Sequence, residues 1–215
     1  MPTRNPFLLR FIVTAAAIAS CGIAGFAPAQ TIIDEWASVQ APPPPTLKPV
    51  ALDRKTTALL MVDFNQQTCN MERRPRCIAS IPRVIPLLAA ARAAGMQVVF
   101  TLGGGGKPGD LPKELTPGAA EPVFLAGVDK FVNSELEKIL RDKGVSTVIV
   151  VGTASFGAVL YTASTAAIRG FKVVVPVDGI SADIPYAEQY VVWQFANVPV
   201  IGPAITLTKL ADVKF

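Results

Sequence analysis

Five short runs of aliphatic and β-branched residues, separated by stretches with helical periodicity, constrain this chain more than any other feature. They lie at 57–63, 97–102, 145–151, 171–177 and 204–210. The first, Thr57-Ala58-Leu59-Leu60-Met61-Val62-Asp63, is apolar without alternation and closes on an acid. A strand with one face in water alternates, whereas a continuous apolar run marks a strand covered on both faces, as in a parallel sheet. Helices are expected at 79–94, 131–143, 157–169 and 186–197. Ser80 is the expected cap of the first, with Pro82 near its start and Pro86 a candidate kink. Gly95, Gly144 and Gly170 stop three of them. Strand and helix in alternation predict an α/β domain, a three-layer α/β/α sandwich with a mainly parallel, Rossmann-like sheet. The 215 residues suit one such domain, and 51% apolar content supplies its core. Ligands bind such sheets beyond the carboxyl ends of the strands. Asp63, the loop after Leu102, the Gly152 turn and Asp178 fall there.

Residues 1–29 read as an export signal. Arg4 and Arg10 supply a basic start, the run Phe11–Phe26 carries no charge, and Ala27-Pro28-Ala29 offers a small-x-small cleavage site. The run is short for a membrane span of about 20 apolar residues. Two alternatives stay open: Ile18-Ala19-Ser20-Cys21 resembles a lipoprotein box with Cys21 lipidated, and the segment could remain as an anchor. Residues 30–54 read as an N-terminal arm. It holds an amphipathic piece around Ile32, Ile33 and Trp36, then the stiff spacer Pro42-Pro43-Pro44-Pro45, and it is expected to pack on the domain or on a neighbouring subunit. Residues 55–215 form the α/β domain. The expected location is periplasmic or secreted, with no membrane contact after cleavage.

Histidine is absent. That removes a Ser-His-Asp triad, a Cys-His dyad and any histidine metal site. Three cysteines are too few for an all-cysteine zinc site, so no metal and no cofactor are expected. Loss of Arg4 and Arg10 with the leader lowers the net charge from +4 to +2. Neither that balance nor any basic patch suits nucleic acid. The cluster Arg73-Arg74-Pro75-Arg76 reads as a solvated loop or an anion contact. In an exported chain the pair Cys69 and Cys77 suggests a disulfide across a polar turn; a free, reactive Cys69 is the rival reading. Gly104-Gly105-Gly106-Lys107-Pro108-Gly109 fits a GxGxxG pattern literally, but Pro108 and Pro112 prevent the helix that a dinucleotide site needs. It reads as a lid or a plain loop. Thr153, Ser155 and Ser164 lack a histidine base.

Three segments together resemble the isochorismatase-like superfamily, the cysteine hydrolases that include nicotinamidases. They are ALLMVDFNQQ at 58–67, VDKFVNSELEKILRDKGVSTVIVVG at 128–152 and GTASFGAVLYTASTAAIRGFKVVVPVDGISA at 152–182. The resemblance covers roughly residues 55–210. It carries the family's catalytic aspartate to Asp63 and its lysine to Lys130. Gly152 and Thr162, matched to the family's glycine turn and helix threonine, put the nucleophilic cysteine's position at Ala158. A thiolate attacks an amide carbonyl, and alanine does not, so the usual amidase route is closed. The carbonyl-binding turn carries over to Thr153, Ala154, Ser155, Phe156 and Gly157, with a cis peptide near Thr153-Ala154. True isochorismatases also lack the cysteine and protonate a vinyl ether with the aspartate. The family's metal-binding variant needs histidines that this chain lacks.

The expected function is therefore an exported hydrolase-like protein without the family cysteine, with Asp63-dependent cleavage of a small-molecule C–N or vinyl-ether C–O bond. The alternatives are a non-catalytic pseudoenzyme binding a small ligand, and a structural oligomer with a vestigial site. Phe64, Phe156, Tyr161 and Tyr186 are candidates for an apolar pocket lining or for plain core. The expected partners are a small molecule and further copies of the chain in a homo-oligomer.

Overall fold

The computed structural model describes residues 30–215. The expected signal peptide, its expected cleavage site and Cys21 lie outside the described residues. The chain divides into two units, with the boundary at Ala41 and Pro42. The described part of the first holds a short helix, α1 (Ile32–Glu35). Its start is closed by Thr31, whose N–H and Oγ1 both donate to Asp34 Oδ2 at 2.8 Å.

The second unit is the α/β domain. In chain order it runs β1 (Val50–Ala51), β2 (Thr57–Val62), α2 (Pro75–Ala93), β3 (Gln97–Leu102), β4 (Val123–Leu125), α3 (Leu136–Asp142) and β5 (Thr147–Thr153). There follow α4 (Leu160–Ile168), β6 (Lys172–Pro176), β7 (Ile180–Ser181), α5 (Pro185–Asn197), β8 (Ile205–Thr208) and β9 (Val213–Lys214). The main sheet has the order β4-β3-β2-β5-β6-β8, with β7 added beside β5, and every pairing in it is parallel. Side chains alternate across the sheet. Ala58, Leu60 and Val62 pack with α3, α4 and α5 on one face; Leu59 and Met61 pack with α2 on the other. Burial of both faces is why β2 reads as an unbroken apolar run.

From β2 the chain winds one way, to β3 and β4. From β5 it winds the other way, to β6 and β8. The reversal falls between β2 and β5, where a crevice opens past the strand ends. Two neighbouring strands must come very close there. Gly152, at φ +134°, lies so near β2 that a Cβ would sit 2.0 Å from the Val62 carbonyl oxygen.

Several boundaries differ from expectation. Residues 42–54, the second half of the expected arm, belong to the compact second unit: the Lys48 N–H donates to the Leu207 carbonyl at 2.9 Å, and Val50–Ala51 pairs with Val213–Lys214. A two-residue strand leaves no period to read. Helix α2 starts four residues early, because proline at its first position lacks only an N–H that would go unused. Ser80 is therefore no cap; it is buried in the helix, and its Oγ donates to the Cys77 carbonyl at 2.7 Å. The helix continues through Pro82 and Pro86. Helix α3 starts at Leu136 rather than 131, because Asp129 and Ser134 hold the local backbone and Asn133 takes a left-handed φ of 51°. Strands β4 and β7 had no sequence signal.

Candidate active site

Asp63 follows the last residue of β2. Its backbone is left-handed, at φ 54°, a conformation that aspartate tolerates better than most residues. Three bonds hold it. Its N–H donates to the Thr101 carbonyl at 3.1 Å, its carbonyl accepts from Thr68 Oγ1 at 2.5 Å, and its Oδ1 accepts from Thr101 Oγ1 at 3.1 Å. Gly103 leaves room for the carboxylate: a Cβ there would meet Asp63 Oδ2 at 2.6 Å. Asn65 fixes that glycine, donating from Nδ2 to its carbonyl at 2.9 Å and accepting its N–H at Oδ1 at 3.0 Å.

Lys130 arrives from the loop before α3. Its Nζ donates to Asp63 Oδ2 at 2.7 Å and to the Gly127 carbonyl at 2.8 Å. Its backbone N–H donates to Thr162 Oγ1 of α4 at 3.2 Å, which ties the lysine to the helix beyond the Ser155–Val159 turn. Lysine and aspartate are both buried, at 0% and 4% exposure. Burial pushes the Asp63 carboxyl above the ordinary value; the attraction and hydrogen bond of Lys130, the Thr101 bond and the Arg74 charge only partly offset it. Burial therefore wins over the cation. A carboxylate accepts about four hydrogen bonds. Thr101 and Lys130 supply two, so each oxygen keeps capacity for a proton or a ligand.

Thr153 ends β5, one residue beyond the Val62–Gly152 pair, at the same carboxyl end of the sheet as Asp63. Its Oγ1 donates to the Ser181 carbonyl at 3.1 Å. The Thr153–Ala154 peptide is cis, where the resemblance implies it. Residues Ser155–Val159 then form one wide, π-type turn before α4, a geometry that recurs at functional sites. The carbonyl of Ala154 accepts from the N–H groups of Gly157 and Val159 at 3.0 and 3.2 Å. Ala158 is buried in the turn and contributes only a methyl group. Among the described residues, the buried hydroxyls of Ser155 and Ser181 have no hydrogen-bond partner.

Asp63, Lys130, Thr153 and the 154–158 turn thus converge on the switch point. Other candidates do not. Phe64 is fully buried in the α2-side core with Leu59 and Met61. Phe156 belongs to the converging turn and is 42% exposed; Tyr161 and Tyr186 are exposed as well. Asp178 is a tie, its Oδ1 accepting the Leu210 N–H at 2.8 Å. The glycine loop shares a cleft of about 560 Å³ with Ala126, Gly127 and Asp129, beside the Lys130 loop. A larger hollow of about 780 Å³, between Pro45–Lys48 and Ala196–Leu207, has Lys48 as its one ionisable lining residue and no acid beside it. Sequence reasoning missed Asn65, Thr101 and Arg74, whose roles depend on partners far away along the chain.

Cys69 and Cys77 are joined, with 1.98 Å between sulfurs and 5.4 Å between Cα atoms. Arg74, between them, is no solvated loop residue. It is 7% exposed and paired with Asp183, while Arg76 pairs with Glu188.

A doubly wound parallel sheet with a buried aspartate–lysine pair at its switch point, and a wide helical turn after the neighbouring strand, defines a three-layer α/β fold with a candidate site at that point. The chain belongs to the isochorismatase family: the isochorismatase domain matches residues 57–207. A streptothricin hydrolase from Streptomyces noursei is 34% identical over 164 residues, covering 70% of this chain and 62% of that protein. The chain spans less than two thirds of the length of the curated relatives it matches. Among solved structures, a cysteine hydrolase from Pseudomonas syringae pv. phaseolicola superposes with a TM-score of 0.66 at 19% identity, covering 78% of this chain and 95% of that one. An isochorismatase family protein from Desulfovibrio vulgaris gives 0.65 at 24% identity, covering 73% and 95%. These likenesses carry the fold.

Proposed function

We propose that this protein is a hydrolase of a small molecule that works without a cysteine nucleophile, with Asp63 as the acid–base group. The single observation that carries this reading is the buried Asp63–Lys130 pair, whose carboxyl burial has pushed upward. Raising a carboxyl pKa moves it toward neutral pH, which is the direction general acid–base catalysis asks for. Lys130 orients the carboxylate and stabilises negative charge that develops beside it. In this reading Ala158 occupies the place of the family's nucleophile. Water then attacks, because the Ser155–Val159 turn holds no thiol. N–H groups early in such a turn lack partners within it and can face a developing oxyanion. Ser155 and Ser181, whose hydroxyls no described residue satisfies, supply further hydrogen bonds to a bound molecule.

The scissile bond proposed is a C–N or vinyl-ether C–O bond. Streptothricin, the compound in the relatives' name, belongs in the first panel of substrates. The experiment is hydrolysis of that panel by wild type and Asp63→Asn side by side. Turnover by wild type that the variant loses supports the reading; equal turnover by both, or none by either across the panel, rejects it. In the second case a rise in melting temperature with a panel member favours the ligand-binding alternative. The protein acts after export in this reading. Mass analysis of the mature chain tests that, with a start at Gln30 expected; an intact Met1 contradicts it.

A further inference from the structure

Arg74 is the first cation past the β2 loop that ordinary surface logic does not explain. A guanidinium this buried needs several acceptors, and it has them on both sides of the sheet edge. Its Nε donates to Asp183 Oδ1 at 2.5 Å, two residues past β7, and its Nη1 donates to the Thr68 carbonyl at 2.9 Å. Thr68 in turn donates from Oγ1 to the Asp63 carbonyl at 2.5 Å and to the Asn65 carbonyl at 2.9 Å. One residue, Thr68, thus separates the guanidinium from the backbone of the candidate catalytic carboxylate.

The disulfide closes around this chain of bonds. Cys69 follows Thr68 directly, and its N–H donates to the Asn65 carbonyl at 2.9 Å. Cys77 sits in the first turn of α2, and its N–H donates to the Arg74 carbonyl at 2.9 Å. The Arg74 N–H donates to the Asn70 carbonyl at 2.9 Å. The bridge therefore pins both ends of the segment that presents Arg74 to Thr68. Without it the segment keeps only hydrogen bonds, and the polar stretch Asn70–Arg73 has little apolar surface to hold it.

We propose that Arg74 is a positioning residue for Asp63 and that the Cys69–Cys77 bridge keeps it in place, so that opening the bridge loosens the Asp63 loop without touching the carboxylate. The inference rests on Asp63 being the acting group. The charged groups acting on Asp63 are Lys130 and Arg74, and Asp183 faces Arg74 from the β7 side. Removing the Arg74 charge takes away one of the two cations that favour the ionised carboxylate.

The test is an NMR titration of the Asp63 side-chain carboxyl in the full mature chain, assigned with Asp63→Asn, and it needs no substrate. Arg74→Gln is expected to move the midpoint upward. Arg74→Lys, which keeps the charge but not the fork that reaches Thr68, is expected to restore part of it. Reduction of the wild-type bridge, and Cys69→Ser with Cys77→Ser, are expected to shift it the same way. A purely structural Arg74–Asp183 pair lowers the melting temperature and leaves the Asp63 midpoint in place, and that result overturns the inference. If Arg74→Gln does not fold, Arg74→Lys and the reduced wild type decide on the same readout. A shifted midpoint in a protein without turnover upholds the positioning role and rejects the hydrolase reading; an unshifted midpoint in an active hydrolase does the reverse.

Discussion

The two halves of the site have been built on different terms. On the Asp63 side each polar group has at least one partner. The carboxylate has Thr101 and Lys130, the lysine has Asp63 and Gly127, and the backbone has Thr68 and Thr101. On the opposite side, the Ser155–Val159 turn carries a methyl at Ala158 and two nearby hydroxyls, Ser155 and Ser181, that no described residue satisfies. In the proposed reading, proton handling and nucleophilic attack are separate tasks in this fold. The first needs a rigid, desolvated charge pair. The second, where water does the work, needs only space and hydrogen-bonding capacity.

Breaking the charged half is expected to have the largest effect. Asp63→Asn should cut turnover by about two to four orders of magnitude, the usual range for a general acid–base group, as read from kcat on any active substrate. Lys130→Met strands a buried carboxylate, and denaturant unfolding should show a loss of about 3–5 kcal/mol. Opening the bridge with Cys69→Ser and Cys77→Ser should cost about 2–4 kcal/mol by the same measurement. The turn should be more forgiving. Ala158→Cys adds one buried atom at a cost of about 1–3 kcal/mol, and the new thiol should react with a thiol-directed reagent that leaves wild type unlabelled. If that small change unfolds the protein, the turn is as tightly built as the charged half and the contrast fails.

The smallest expected effect is a pH slope. Asp63 holds its proton more firmly folded than unfolded, so the folded state carries more protons from the ordinary aspartate value near 3.8 up to the raised folded value. Stability from this group is therefore greatest below that window and falls as pH rises through it. Comparing unfolding free energies of wild type and Asp63→Asn across acid pH should show the slope flattened in the variant.

The parts of the molecule that were legible in the sequence share one physical property. Strands β2, β3 and β5 are covered on both faces, so burial alone dictates their composition, and Asp63 stands out as the acid that ends such a run. What stayed hidden was set by partners distant in sequence. Val50–Ala51 is a strand because Val213–Lys214 lies beside it, and Arg74 is buried because Asp183, 109 residues on, receives it. For Phe64 the sequence left pocket lining and plain core both open, and its partners Leu59 and Met61 place it in the core. The helix expected from residue 131 lost its first turn to Asp129 and Ser134, which compete for the backbone. Lys130 was named through a family resemblance; its 2.7 Å contact with Asp63 spans 67 residues of chain that no local pattern connects.

The most direct test of a thiol-free, water-using site is a single turnover in oxygen-18 water on a substrate from the panel, followed by mass analysis of product and protein. The account predicts label in the product within the first turnover, no adduct on the chain, and neither signal with Asp63→Asn. A substrate fragment covalently bound to the protein, at Ser155 or any other side chain, would contradict it.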